Sequence, residues 1–344
     1  MVEQLTLNQR VQGSSPCRPT ENTALCCGIF LFDKSRGTLN FSCKEKPDTM
    51  KRITLIVTSL LITAALAGQQ TAEKKLPANL EELTSPQFVK AVELSKGVCV
   101  IPMGIIEKHA TQLPLGSDLY EARAAVESAV TKEYAVVFPP YYFGQIFEAR
   151  HQPGALAYSN DLIWQMLQET CEELSRNGLK KIILFSGHGG NESFVHFFCQ
   201  SQLASARDYI VVLFEPGNDP VKDKEIQSLK KAKNDGHAGE EETSMIYYLR
   251  PDLVDLQALG AESGADQDRL AMMKNGYVGI WWYAKYPNHY CGDLAQPNKR
   301  LGELLIEKDA DQLAGLIRYL KDNNEIERLQ NEFYNRAENP LKMK

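Results

Sequence analysis

Apolar and polar positions alternate along this chain in two rhythms. Val98-Cys-Val-Ile-Pro-Met103 is an unbroken apolar run, the pattern of a strand buried on both faces. Leu119, Ala122, Val126, Ala129 and Val130 then recur at helical spacing over 119–133. Ala135-Val-Val-Phe138 predicts a second strand. Asn160-Asp161 starts a helix whose apolar face is Leu162, Ile163, Met166, Leu167, Cys171 and Leu174, stopped by Gly178. Strands are expected at 181–185 and 209–214, with a helix over 191–206 between them. A helix over 240–249 ends at Pro251, a late strand is expected at 278–283, and a last amphipathic helix covers 301–322. Thr84-Ser85-Pro86 marks a lead-in helix within an otherwise polar stretch. This alternation predicts a layered α/β fold around a largely parallel sheet. No internal repeat or low-complexity linker divides it, so residues 68–344 are read as one domain.

The first 67 residues follow a different logic. Met50-Lys51-Arg52 is a basic start, Ile53 to Ala64 is apolar or uncharged, and Ala65-Leu66-Ala67 is an A-x-A cleavage signal before Gly68. The uncharged stretch falls short of the roughly 20 residues a spanning helix needs. Residues 50–67 therefore read as a signal peptide with Met50 as the working start. Residues 1–49 read as a mis-assigned extension, because they carry no sustained periodicity. The mature chain is then periplasmic or secreted, with no stable membrane anchor.

Charge and cysteine content narrow the function. The whole chain carries a net charge of -6, and residues 1–67 hold eight Lys/Arg against five Asp/Glu, which leaves the remainder more acidic still. Such a balance argues against nucleic acid as a partner. Four of the eight Cys lie beyond residue 67, widely spaced and without a CxxC pair. They define neither a disulfide framework nor a thiolate metal site.

The six His are more informative. Glu107-Lys-His109 follows the first strand, and Leu113-Pro-Leu-Gly-Ser-Asp118 leads into the next helix. Ser186-Gly-His188-Gly-Gly-Asn191 follows the strand at 181–185. His237-Ala-Gly-Glu240-Glu-Glu242 sits at a loop-to-helix junction. Three imidazoles and the carboxylates of Glu107, Asp118, Glu240 and Glu242 thus arrive where strands end and helices begin, the usual place for sites in such sheets. Mixed His and carboxylate donors suit Zn, Mn or Fe(II), and the supply is enough for two divalent ions sharing a carboxylate. The glycine turn at 187–190 lacks the Lys and Ser/Thr of a phosphate-binding P-loop.

These three motifs, in this order, resemble the creatininase (creatinine amidohydrolase) family over roughly residues 80–250. The resemblance implies a three-layer α/β/α sandwich, a homo-oligomer such as a hexamer, and a binuclear metal site that hydrolyses non-peptide C–N bonds. It implies Glu107 on one metal, His109 and His188 on the other, and Asp118 as the bridge. Creatininase has a further metal-binding Glu where this chain has Gly190, and Glu242 is the candidate replacement. His237 matches the residue that carries a proton to the leaving nitrogen. Glu240 is read as a further catalytic residue, either supporting a ligand or charging a helix N-terminus. Glu148, Arg150 and His151 are placed at the pocket wall, whereas His196 and His289 stand outside any motif, His196 as a packing residue. The family's tryptophans over creatinine have no positional match here, where Trp164, Trp281 and Trp282 lie elsewhere. Gly236 also replaces a carboxylate, which points away from creatinine itself.

The sequence therefore predicts a two-metal amidohydrolase acting on a small cyclic amide, lactam or formamide by attack of a metal-bridged hydroxide. The alternatives are a peptidase trimming a short peptide and a non-catalytic binding protein on the same fold. N-terminal sequencing of exported protein is expected to begin at Gly68. A mature end upstream of Met50 would exclude this processing.

Overall fold

The computed structural model describes residues 75–342 and the strands Leu31–Asp33 and Thr38–Asn40. The chain divides into two units, Met1–Lys74 and Lys75–Lys344. In the first, those two strands pair antiparallel. The signal peptide expected at 50–67 lies outside the described residues.

In the second unit four strands form a parallel sheet: β1 (Val98–Met103), β2 (Val136–Val137), β3 (Lys181–Ser186) and β4 (Ile210–Leu213). Their spatial order is β2-β1-β3-β4. Successive side chains of β1 face opposite ways, as a pleat requires. Val98 and Val100 pack with Ile183 and Phe185 against α2 (Ser117–Lys132) and α8 (Lys299–Asp322). Cys99, Ile101 and Met103 pack with Ile182 and Leu184 on the other face. There they meet α1 (Ser85–Ser95), α3 (Asn160–Arg176) and α4 (Glu192–Ser201). Continuous apolar runs therefore mark strands with both faces covered, and the three-layer α/β/α arrangement follows.

The remaining elements are α5 (Pro220–Leu229), a short antiparallel pair β5 (Asp235–His237) and β6 (Cys291–Gly292), α6 (Glu240–Leu249), α7 (Trp281–Lys285) and α9 (Glu325–Ala337). Where a strand was expected at 278–283, the chain instead forms the single-turn helix α7. Its aromatic residues suit a strand by propensity, but they close on one another at i,i+1 and i,i+4. The Trp281 and Trp282 rings lie 5.4 Å apart, and Trp282 and Tyr286 4.8 Å. Among the described residues no helix is long and apolar enough to cross a membrane.

Lys181, buried at the start of β3, closes the end of α8 by donating from Nζ to the Asn323 carbonyl (3.0 Å) and to Asn324 Oδ1 (2.8 Å). Helix α6 crosses α8 in backbone contact: a Cβ on Gly302 would meet the Met245 nitrogen at 2.7 Å and run into Ser244. That close crossing fixes the helix that carries Glu242. Gly302→Ala is expected to lower stability by about 1–3 kcal/mol, as overpacking does. Gly315→Ala on the same helix, where a Cβ meets nothing within 4 Å, is expected to leave stability unchanged or raised. Urea midpoints of the two variants check this.

Candidate metal centre and active site

The candidate residues gather at the carboxyl edge of the parallel sheet. Glu107 and His109 lie on the chain leaving β1, and His188 follows β3 directly. Asp118 sits in the first turn of α2. His237 ends β5 and Glu242 lies in the first turn of α6. The Gly187 N–H donates to the Met103 carbonyl (2.8 Å), which holds the two strand ends together.

Six of the seven predicted site residues come together. Glu107 and His109 are fully buried, and Asp118 is 2% exposed. His188 Nδ1 lies 2.7 Å from Glu107 Oε1 and 3.3 Å from Asp118 Oδ2. His109 Nε2 lies 2.8 Å from Asp118 Oδ1 and 3.9 Å from Glu242 Oε2. His237 Nδ1 lies 3.7 Å from that same Glu242 oxygen. The structure thus groups His188 with Glu107, not with His109 as the resemblance implied; Asp118 stands between the two groups.

The outer hydrogen bonds set which atoms face inward. His188 Nε2 is 3.1 Å from the Gln145 carbonyl, His237 Nε2 is 3.0 Å from that of Lys108, and His109 Nδ1 is 3.3 Å from that of Glu107. A carbonyl only accepts, so each ring places one N–H outward and turns its other nitrogen to the carboxylates, where it can hold a proton or, in its place, a cation. Glu107 Oε1 and Asp118 Oδ2 are buried with no hydrogen-bond donor. Nitrogens and carboxylate oxygens packed together in a buried pocket are balanced by protons shared between them or by a cation that replaces those protons. The residues present therefore fit a divalent metal centre. Two sets have ligand atoms mutually within 4.8 Å: Glu107, Asp118 and His188, and Glu107, His109 and His237.

The electrostatics agree. Burial opposes charge on His109, but Asp118, with Glu107 and Glu242, lifts its pKa to about 10. Burial is likewise outweighed at His188, which Glu107 and Asp118 hold well above the usual imidazole value. Burial would raise Glu107, yet His188 and His237 hold its carboxyl well below the usual range. Asp118 is lowered in the same way, against burial, chiefly by His109. A field that draws protons onto these rings draws any cation placed among them.

Glu240 is the predicted residue left outside. It is buried, and its Oε2 accepts from the Lys231 and Ala232 N–H groups at 2.7 and 2.6 Å. Its carboxylate pins the loop before β5 instead of facing the other site residues. His196, expected to pack, is half exposed and pairs with Glu215 at 3.0 Å. A side chain at Gly190 would displace its neighbours, since a Cβ there would lie 2.7 Å from Glu148 Oε1 and crowd His188.

One residue at the centre carried no sequence signal. His289 is buried, and its Nε2 lies 2.5 Å from Glu107 Oε2. It arrives through the β5–β6 pairing, which joins positions far apart in the chain. His289, Ala110 and Ala238 all adopt positive φ, at 53°, 50° and 55°. Non-glycine residues seldom do so, and such strain collects at functional sites.

A cleft of about 1120 Å³ opens above these groups. Its walls include Glu148, Arg150 and His151, as expected from sequence, together with Tyr277, Trp281 and Trp282. The His151 ring packs edge-on against Tyr283 at 4.7 Å, and His151 and Gln152 both reach the Pro287 carbonyl.

Residues 81–317 match the creatininase (creatinine amidohydrolase) family. A creatinine amidohydrolase of Pseudomonas putida is 27% identical over 190 residues, 51% of this chain and 73% of that protein. A mycofactocin precursor peptide peptidase of Mycolicibacterium smegmatis is 28% identical over 183 residues, 51% of this chain and 66% of the peptidase. Among solved structures, a manganese creatininase superposes with TM-score 0.60 at 21% identity, covering 72% of this chain and 99% of its own. A creatinine amidohydrolase superposes with TM-score 0.58 at 22% identity, covering 70% and 96%. The fold, the match across more than half of the chain and the donor set at the sheet edge lead to one conclusion: the chain belongs to the creatininase family and is a hydrolase of that family.

Proposed function

We propose that this enzyme binds two divalent ions, Zn or Mn with Fe as a third candidate, and hydrolyses a non-peptide C–N bond in a cyclic amide, lactam or formamide. The observation that carries this reading is the set of inward imidazole nitrogens gathered around the buried oxygens Glu107 Oε1 and Asp118 Oδ2. Glu107, Asp118 and His188 would hold one ion. His109, Asp118 and Glu242 would hold the other, with Asp118 shared and Glu242 serving in place of a ligand at Gly190. Relatives in manganese and zinc–zinc forms support the choice of metals. Bound there, the ions would polarise a carbonyl and supply a water nucleophile ionised near neutral pH.

The chain's own groups cover the rest of the chemistry. His237 has Nε2 fixed on the Lys108 carbonyl and Nδ1 turned toward Glu242. Nδ1 is therefore the atom that can carry a proton to a leaving nitrogen. Glu107 and Asp118, buried at the floor of the cleft, fix the negative charge that would hold the ions in place. We further propose export after cleavage of the signal peptide, and assembly as a homo-oligomer, which sedimentation of the purified chain would test.

Elemental analysis of purified protein is expected to find about two divalent ions per chain. Asp118→Ala should lose both and lower amide turnover by about a hundredfold to a thousandfold or more. A wild-type chain without stoichiometric Zn, Mn or Fe would refute this proposal.

The cleft volume favours a second reading. About 1120 Å³ exceeds the roughly 300–1,000 Å³ usual for small-ligand pockets and has room for a short peptide. Turnover of short peptides, with lactams and formamides untouched, would favour a peptidase over the small-amide reading. The reverse pattern would exclude it.

A further inference from the structure

We infer that Trp282 and His289 form a relay that sets how Glu107 meets the metal, with both acting as positioning residues. The inference rests on the metal-centre reading above. It begins at the wall of the cleft, where the Trp282 indole Nε1 lies 2.9 Å from His289 Nδ1. An indole N–H only donates, so His289 Nδ1 must accept. The imidazole proton then sits on Nε2, the atom facing Glu107 Oε2 at 2.5 Å.

His289 is thus the exception among the four imidazoles at the centre. His109, His188 and His237 each send an N–H out to a carbonyl and leave the inward nitrogen for an ion. His289 sends its N–H in and receives one from behind. A fourth inward lone pair would repel Glu107. The inward N–H instead occupies Oε2 and leaves Oε1, the oxygen without a donor, for an ion. Glu107 is therefore held to one metal-facing oxygen, in a carboxylate plane fixed by His289.

Both members of the relay are held in place. His289 is 2% exposed, sits at φ 53°, and donates its backbone N–H to the Tyr286 carbonyl at 2.9 Å. The Trp282 ring lies 4.8 Å from that of Tyr286. Without the indole N–H, nothing from Trp282 holds the His289 proton on Nε2. The ring can then present a lone pair to Glu107.

The test is metal affinity of the full chain, measured by competition with a chromophoric chelator for Zn and Mn. Trp282→Phe keeps an aromatic ring and removes the N–H; His289→Ala removes the relay. Each is expected to weaken binding of one ion by about 10–100-fold, the usual cost of losing a partner of a metal ligand. His289→Gln, whose amide N–H can reach Glu107, should restore affinity to within about threefold of wild type. Nitrogen-15 spectra should show the Nε2–H tautomer of His289 in the wild type and a mixture in Trp282→Phe. Thermal unfolding of each variant without metal verifies that it folds. Folded Trp282→Phe and His289→Ala chains that load metal like wild type would overturn the relay alone. So would a His289→Gln chain as weak as His289→Ala. A wild-type chain that loads no ion would instead overturn the metal-centre reading.

Discussion

Two carboxylates, Glu107 and Asp118, sit in the dry interior where the strands end, and their charge has to be balanced there. Removing one ionised carboxylate from water costs several kcal/mol even after relaxation. The surrounding rings answer that demand. His109 and His188 take up positive charge more readily than an ordinary imidazole, because the carboxylates outweigh the burial that opposes it. Such a cluster is poor packing and a good cation site. Its burial and outer hydrogen bonds make sense together only if positive charge belongs among them.

The fold supplies that cluster through its topology. Parallel strands β1 and β3 run side by side in register from Val98↔Lys181 to Met103↔Ser186, so Glu107 and His188 leave neighbouring strand ends. Helix α2 returns Asp118 to the same edge. Glu242 comes from α6, whose position depends on its close crossing with α8 at Gly302. Three separate stretches of chain are therefore fixed by core packing on both faces of the sheet before any ligand atom is placed.

How far the sequence reveals this depends on the range of the interaction. Apolar runs such as 98–103 and 181–185 are legible because burial on both faces acts residue by residue. The residues His109, Asp118, His188 and His237 are legible because short motifs place them beside strand or helix ends. His289 is not, since its place depends on β6 pairing with β5, and no local pattern encodes that. The strand expected at 278–283 failed for a related reason: local propensity favours it, but the segment forms α7 with its own aromatic contacts. Helix α5 was not expected from the periodicity; the structure shows Asp219 capping it, with Oδ1 accepting from the Val221 and Lys222 N–H groups. Sequence also shows that Gly190 lacks a carboxylate. The structure adds that the Glu148 carboxylate and the His188 ring lie close beside that position.

The wall of the cleft and the candidate metal centre meet in one segment. Residues 277–289 supply much of the cleft wall, and they also supply His289, which touches Glu107. Within this segment the side chains divide. Tyr277 and Ile280 are exposed and engage no group of the metal centre, so they can change with the substrate at little cost to it. Trp282 faces the cleft but spends its only polar hydrogen on His289, where a smaller or aliphatic residue would leave Nδ1 without its donor. Its neighbour Trp281 carries no such bond among the described contacts. Of the paired tryptophans, Trp281 faces the cleft without a bond to these groups, while Trp282 is constrained by His289 behind it.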